Sequence, residues 1–141
     1  MRTIEIPDVV IYCDGFVHTK FGRNGGSVCV TYKQKTLSLK RFLLDECHDS
    51  IARAIKKAGP TSYKLECYAM YRALRVARHF KQPIIYSDCN PLIMAVNGYS
   101  EDKCYPKELN NIYHSLHNLL VNSGSHLLWV RRNMIVKILG H

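Results

Sequence analysis

Two apolar runs in this chain share one layout: each is short, rich in β-formers, and stops on an acid. Val9-Val10-Ile11-Tyr12-Cys13 ends at Asp14-Gly15, and Ile84-Ile85-Tyr86-Ser87 ends at Asp88. Such runs read as buried strands. Alternation puts Val10, Tyr12 and Asp14 on one face of the first, and Ile84, Tyr86 and Asp88 on one face of the second. If the strands lie parallel and adjacent, both carboxylates reach the same sheet edge. There they repel, unless a cation sits between them.

The remaining pattern supplies the surrounding elements. The first strand is expected over 8–14, with Gly15 freeing the backbone to turn and 16–24 as loop or strand continuation. Gly25-Gly26 precedes a β-rich run over 27–32, Lys33-Gln34-Lys35 is a polar turn, and 36–40 pairs back as a hairpin. The period then changes. Residues 45–58 carry helix formers, acids first and lysines last, as the helix dipole favours, before Gly59-Pro60 stops them. Thr61-Ser62 caps a helix over roughly 62–80, whose inward stripe is Leu65, Ala69, Ala73 and Ala77, with Met70 and Leu74 beside it. Gln82-Pro83 breaks that helix before the second acid-ending strand. Asn90-Pro91 opens a short helix to about Asn97, and 98–105 is a loop. Pro106 starts an amphipathic helix through Leu109, Ile112, Tyr113, Leu116, Leu119 and Leu120. Residues 126–130 form a last strand, and Asn133 caps a final helical turn or two. The order β-β-β-α-α-β-α-α-β-α predicts an α/β fold with a mixed sheet, its late crossovers parallel and right-handed.

A length of 141 residues suits one domain, 1–141, with a sizeable core. No apolar run approaches the ~18 residues of a membrane span, and the N-terminus lacks a signal-peptide layout. A cytoplasmic protein without a membrane partner is expected, with nuclear or viral settings left open. The six cysteines are widely spaced and never form C-x-x-C, so they read as free thiols. The net charge of +9 points to a polyanionic partner, nucleic acid first. No acid follows Glu108.

Glu66 adds the third carboxylate. It sits beside the inward stripe, early in its helix, where burial is costly without a partner. The dipole of the first turn offsets only ~0.3–1 kcal/mol of that cost. Two readings follow: a boundary Glu bonded to an arginine or to backbone, or a place next to Asp14 and Asp88 around a shared divalent ion.

At this point the residues resemble the ribonuclease H family over nearly the whole chain, in the right order. Asp14-Gly15 after an apolar strand is similar to its first motif and Glu66-Cys67-Tyr68-Ala69 to its second. Tyr86-Ser87-Asp88-Cys89-Asn90 is similar to its third, and Trp129-Val130 followed by basic residues to its last strand. The resemblance implies a five-stranded mixed sheet flanked by helices and hydrolysis of the RNA strand of RNA–DNA hybrids by a monomer. It also implies Mg²⁺, with Mn²⁺ as an alternative, held by Asp14, Glu66 and Asp88. Oxygen ligands suit such ions, and two of them would activate water and stabilise the leaving oxygen.

The family's fourth acid, in an Asn-x-x-Ala-Asp pattern, has no counterpart. Asn133-Met134-Ile135-Val136-Lys137 fills that place, so Lys137 stands where the acid is expected: as a fixed cation in the catalytic group, as a change that weakens or abolishes the nuclease, or as a solvated residue on a short terminal helix. A second register, matching Gly140-His141 to the Gly-His loop of many members, supplies no acid either. Gly15, Phe16, Lys20, Arg23, Asn90, Arg131 and Arg132 are the expected nucleic-acid contacts. Phe16 replaces the small polar residue common after Asp-Gly, and Tyr63 stands where the family often has an Asn. Two other activities stay open on the same fold: a non-catalytic nucleic-acid-binding module, and a nuclease for branched DNA such as a junction resolvase.

Overall fold

The first strand does not end where its acid does. In the computed structural model, which describes residues 8–18 and 23–140, β1 runs from Val9 to His18, straight through Asp14-Gly15. It pairs antiparallel with β2 (Arg23–Tyr32) along its whole length, from Val9 opposite Tyr32 to His18 opposite Arg23. The expected turn at Gly15 is therefore replaced by strand. The reason lies across the ladder: Gly15 and Phe16 face Gly26 and Gly25. A Cβ on Gly26 would lie 2.5 Å from the Phe42 ring, and one on Gly25 only 2.1 Å from the Phe42 carbonyl oxygen. The glycine pair thus serves close packing within a strand.

Lys33 and Gln34, both at positive φ (50° and 66°), make the two-residue turn to β3 (Lys35–Leu43). The helix expected over 45–58 is shorter. Residues 44–46 form a 3₁₀ turn, Cys47 is extended, and α1 spans Ser50–Ala58. Its start is set by Asp49, whose Oδ1 accepts from the Ala52 amide at 3.0 Å. The other Asp49 oxygen accepts from the hydroxyl of fully buried Tyr68, tying α1 to the next helix. Burial alone would raise the Asp49 carboxyl; these hydrogen bonds outweigh it and hold it below the ordinary value.

α2 (Ser62–Ala77) begins where the sequence indicates, with Thr61 Oγ1 accepting from the Lys64 amide at 3.2 Å, and ends three residues sooner. Its stripe of Leu65, Ala69, Met70, Ala73, Leu74 and Ala77 is wholly buried. β4 (Ile84–Ser87), α3 (Asn90–Asn97), α4 (Lys107–Ser123) and β5 (His126–Trp129) follow as expected. The last helix, α5, spans Arg132–Leu139 and starts one residue before the Asn133 cap that was expected.

The five strands order as β3-β2-β1-β4-β5, antiparallel in the first three and parallel from β1 to β4 and β4 to β5. The main core fills one face: Val9, Ile11 and Cys13 of β1 and Val28 and Val30 of β2 pack in one cluster with α2 and α4. Ile135 and Leu139 of α5 cover the opposite face, against Cys29 and Tyr12. The cysteines are free thiols, and four of them are buried. No helix among the described residues is long and apolar enough to cross a membrane.

Candidate metal centre

Parallel pairing aligns β1 and β4 residue for residue ahead of their acids. Tyr12 lies opposite Tyr86, and their rings stack at 5.5 Å. Two residues further on, Asp14 and Asp88 leave the same sheet edge on the same face, which is the face that α5 covers. Glu66 comes from the other face. Alternation turns Gly15 towards α2, and the helix backbone approaches it so closely that a Cβ there would lie 2.4 Å from the Leu65 carbonyl carbon. That approach lets the Gly15 amide donate to Glu66 Oε1 at 2.5 Å. Asp14, Glu66 and Asp88 thus converge, each offering one oxygen, with the three oxygens within 4.8 Å of one another.

Three negative charges in that space are unfavourable. At an effective dielectric of about 20, each pair repels by at least ~3 kcal/mol. Asp14 is fully buried, which adds a desolvation cost. Two responses are visible. Burial first, then the hydrogen bond and charge of Asp14, push the Glu66 carboxyl far above the usual carboxylate range, against the opposing pull of the Gly15 amide. The second response is a cation. One guanidinium nitrogen of Arg132, Nη1, donates to Asp14 Oδ2 and to Asp88 Oδ2, both at 2.9 Å. The hydrogen bond to Asp88 and the nearby acids hold Arg132 still more firmly protonated than usual. Its side chain remains 59 % exposed, so it lies over the cluster rather than beneath it.

The donors fit a divalent ion. They are all carboxylate oxygens, the set that Mg²⁺ and Mn²⁺ prefer, and a positive atom already bridges two of them at hydrogen-bond distance. The close approach at Gly15 makes this fit sensitive to a single methyl. Gly15→Ala should push α2 away from β1, cost ~1–3 kcal/mol in urea denaturation, and weaken Mn²⁺ binding by titration at least about tenfold. A variant with wild-type Mn²⁺ affinity would show that the close approach does not position Glu66.

Solved structures match this architecture. Ribonuclease H1 from the halophilic archaeon Halobacterium salinarum superposes with a TM-score of 0.70 at 14% identity, over 93% of this chain and 91% of that one. LC11 ribonuclease H1, solved in complex with an RNA/DNA hybrid, gives 0.66 at 15% identity over 93% and 91%. The same LC11 protein, isolated from compost by a metagenomic approach, gives 0.69 at 15% identity in a second structure, over 94% and 91%. The chain has the ribonuclease H fold. The foamy viral protease–reverse transcriptase, in complex with an RNA/DNA hybrid, contains a region of the same shape, at 0.67 and 11% identity, over 99% of this chain and 20% of that one. No protein-family model matches the chain, and neither does any curated protein.

Of the readings of Lys137, the structure has the solvated residue on the terminal helix, off the acids. Lys137 is exposed on α5, and its side chain makes no hydrogen bond or ion pair with any described residue. The cation on the acids is Arg132, five residues earlier. α5 starts only two residues after β5, so its first residue is the one over the acids. Five residues on, a side chain is ~7.5 Å along the axis and ~140° around it. The sequence pointed to Arg132 as a phosphate contact but gave no signal of its bridge between acids.

The other expected contacts scatter around the edge. Phe16 is half-buried and, with exposed Arg23, lines a cleft beside Arg41 and Phe42. Asn90 is exposed at the start of α3, and Arg131 is exposed at the N-cap of α5. Lys20 lies outside the described residues. Gly15 belongs to the centre, its amide engaged by Glu66. The Tyr63 hydroxyl is paired with that of Tyr113 at 2.6 Å.

Proposed function

We propose that this protein is a divalent-metal-dependent endonuclease that hydrolyses the RNA strand of RNA–DNA hybrids, acting as a single chain. The convergence of Asp14 and Asp88, just beyond the parallel pairing of β1 with β4, and Glu66 of α2 is the observation that carries the reading. Two of the matched proteins were solved with an RNA/DNA hybrid, and the net charge of +9 suits such a partner.

Asp14, Glu66 and Asp88 would hold the ion. Mg²⁺ or Mn²⁺, when bound, supplies positive charge to the scissile phosphate and lowers the pKa of an attacking water. The chain's own residues do the rest. The Gly15 amide keeps Glu66 aimed at Asp14. Burial and the neighbouring Asp14 push the Glu66 carboxyl above its ordinary range, and ligation of a metal would favour its deprotonated form. Arg132, exposed along much of its side chain, leaves the acids and turns its guanidinium to the scissile phosphate, where a planar fork of donors matches two oxygens. Phe16, Arg23, Asn90 and Arg131 flank the substrate backbone.

The bridge formed by Arg132 favours a second reading. A guanidinium that stays between Asp14 and Asp88 makes the domain a binder without turnover. Incubating a labelled hybrid with excess protein in Mg²⁺ and in Mn²⁺ separates the two. Metal-dependent cutting of the RNA strand is expected. Salt-sensitive, metal-independent binding with no product in either metal would establish the binder instead. A branched DNA junction tested alongside distinguishes a resolvase.

A further inference from the structure

The positive charge of this chain is concentrated in two segments without a single acid. Residues 15–44 and 67–87 hold ten of the twenty Lys and Arg residues and none of the eleven acids. The rest, with ten cations and eleven acids, is close to neutral. The fold packs these two segments together, since the first supplies β2 and β3 and the second most of α2.

Between them lies a groove of about 470 Å³ on the helical face of the sheet. It exists because α2 crosses β1 and β2 and leaves the edge strand β3 uncovered. The floor is apolar, made by Val28 and Val30 of β2 and Phe42 of β3. Lys40 rises from β3 on one side, and Arg72, Arg75 and Arg78 from α2 and its C-cap on the other. No acid lines it among the described residues. The Arg72 guanidinium lies over the Phe42 ring at 5.3 Å, while Arg75 and Arg78 are exposed. The end of the groove at Phe42 is the one nearest the metal centre: Phe42 pairs with Gly26, which pairs with Gly15. That end is therefore two strand spacings, roughly 10 Å, from the acids.

We infer that this groove is a binding site for single-stranded nucleic acid, holding the strand that continues beyond the duplex at the metal centre. Cations on both rims take phosphates, and the apolar floor takes base faces, the combination that single-strand sites use. A duplex is too wide to enter a cavity of this size. An acidic protein segment would meet the same charge but has no flat rings for the floor. The inference rests on the nucleic-acid reading of the metal centre, and its test keeps the two apart.

Fluorescence anisotropy on the full chain should compare three probes: a blunt 12-base-pair RNA–DNA hybrid, the same hybrid with a 12-nucleotide single-stranded extension, and oligo-uridine of 12 nucleotides. The extended hybrid should bind about 20-fold more tightly than the blunt one near 0.1 M salt. Arg75→Ala/Arg78→Ala, both exposed and far from the acids, should remove that gain and leave blunt-hybrid affinity unchanged. Its oligo-uridine salt slope should fall by about 1.4, at ~0.7 for each phosphate that an arginine no longer neutralises. An equal gain in the double variant, or no gain in the wild type, overturns the groove. So does competition for oligo-uridine by poly-glutamate at equal charge. Failure to bind the blunt hybrid at all sinks the reading of the metal centre, while loss of oligo-uridine binding in the variant still supports the groove.

Discussion

Asp14→Asn should reduce hybrid cleavage by at least about a thousandfold. Asp14 links the other two acids: it shares a hydrogen bond with Glu66 and accepts from the same Arg132 nitrogen as Asp88. An amide keeps its size but removes the charge that draws a divalent ion. A metal contributes several kcal/mol to charge stabilisation in such a reaction, and ~4 kcal/mol corresponds to a thousandfold. Loss of activity alone is ambiguous, since a misfolded variant also fails. The informative companion is stability without metal. Asparagine relieves repulsion within the acid cluster, so urea denaturation in EDTA should show Asp14→Asn no less stable than wild type by more than ~1 kcal/mol. Mn²⁺ affinity should drop at the same time. Cleavage within tenfold of wild type would remove Asp14 from the metal centre and the nuclease reading with it.

Arg132→Gln should bind Mn²⁺ about ten- to a hundredfold more tightly than wild type. The guanidinium nitrogen sits between Asp14 and Asp88, two of the three acids that would hold a metal. An incoming ion must therefore break two charge-assisted hydrogen bonds, each worth roughly 1.5–3 kcal/mol where well formed, less here because the arginine is largely exposed. Glutamine lacks the charge and loses most of that competition. The same substitution should destabilise the metal-free protein, because the acids lose their counter-charge, and saturating Mn²⁺ should restore the loss. Isothermal titration and denaturation in EDTA read the two effects separately. Unchanged Mn²⁺ affinity would show that arginine and metal do not compete. The effect on turnover distinguishes two roles. If Arg132 moves to the scissile phosphate, the variant binds metal better and cleaves more slowly. If it only blocks the centre, the variant cleaves faster.

Much of the architecture was legible in the linear pattern. Two apolar runs, each carrying tyrosine two residues before an aspartate, specify two strands with matching phase, and the ladder pairs Tyr12 with Tyr86. Thr61 and Gly59-Pro60 mark a helix boundary by local hydrogen bonding and by the rigidity of proline, and the structure has it there. The three acids could be grouped because side-chain period follows directly from element type. Boundaries that depend on long-range packing were less legible. Gly15 reads as a turn in isolation, yet it lies inside β1 because Gly25 and Gly26 leave room opposite and α2 needs its missing side chain.

By itself, then, the chain's alternation determined which acids share a face and in what order strands and helices come, since those are nearest-neighbour properties. Only the tertiary structure decided that Arg132, and not Lys137, lies on the acids. Each residue of shift in a helix start rotates every later side chain by ~100°. The start of α5 is set by where β5 releases the backbone against the sheet, which local sequence preference does not encode.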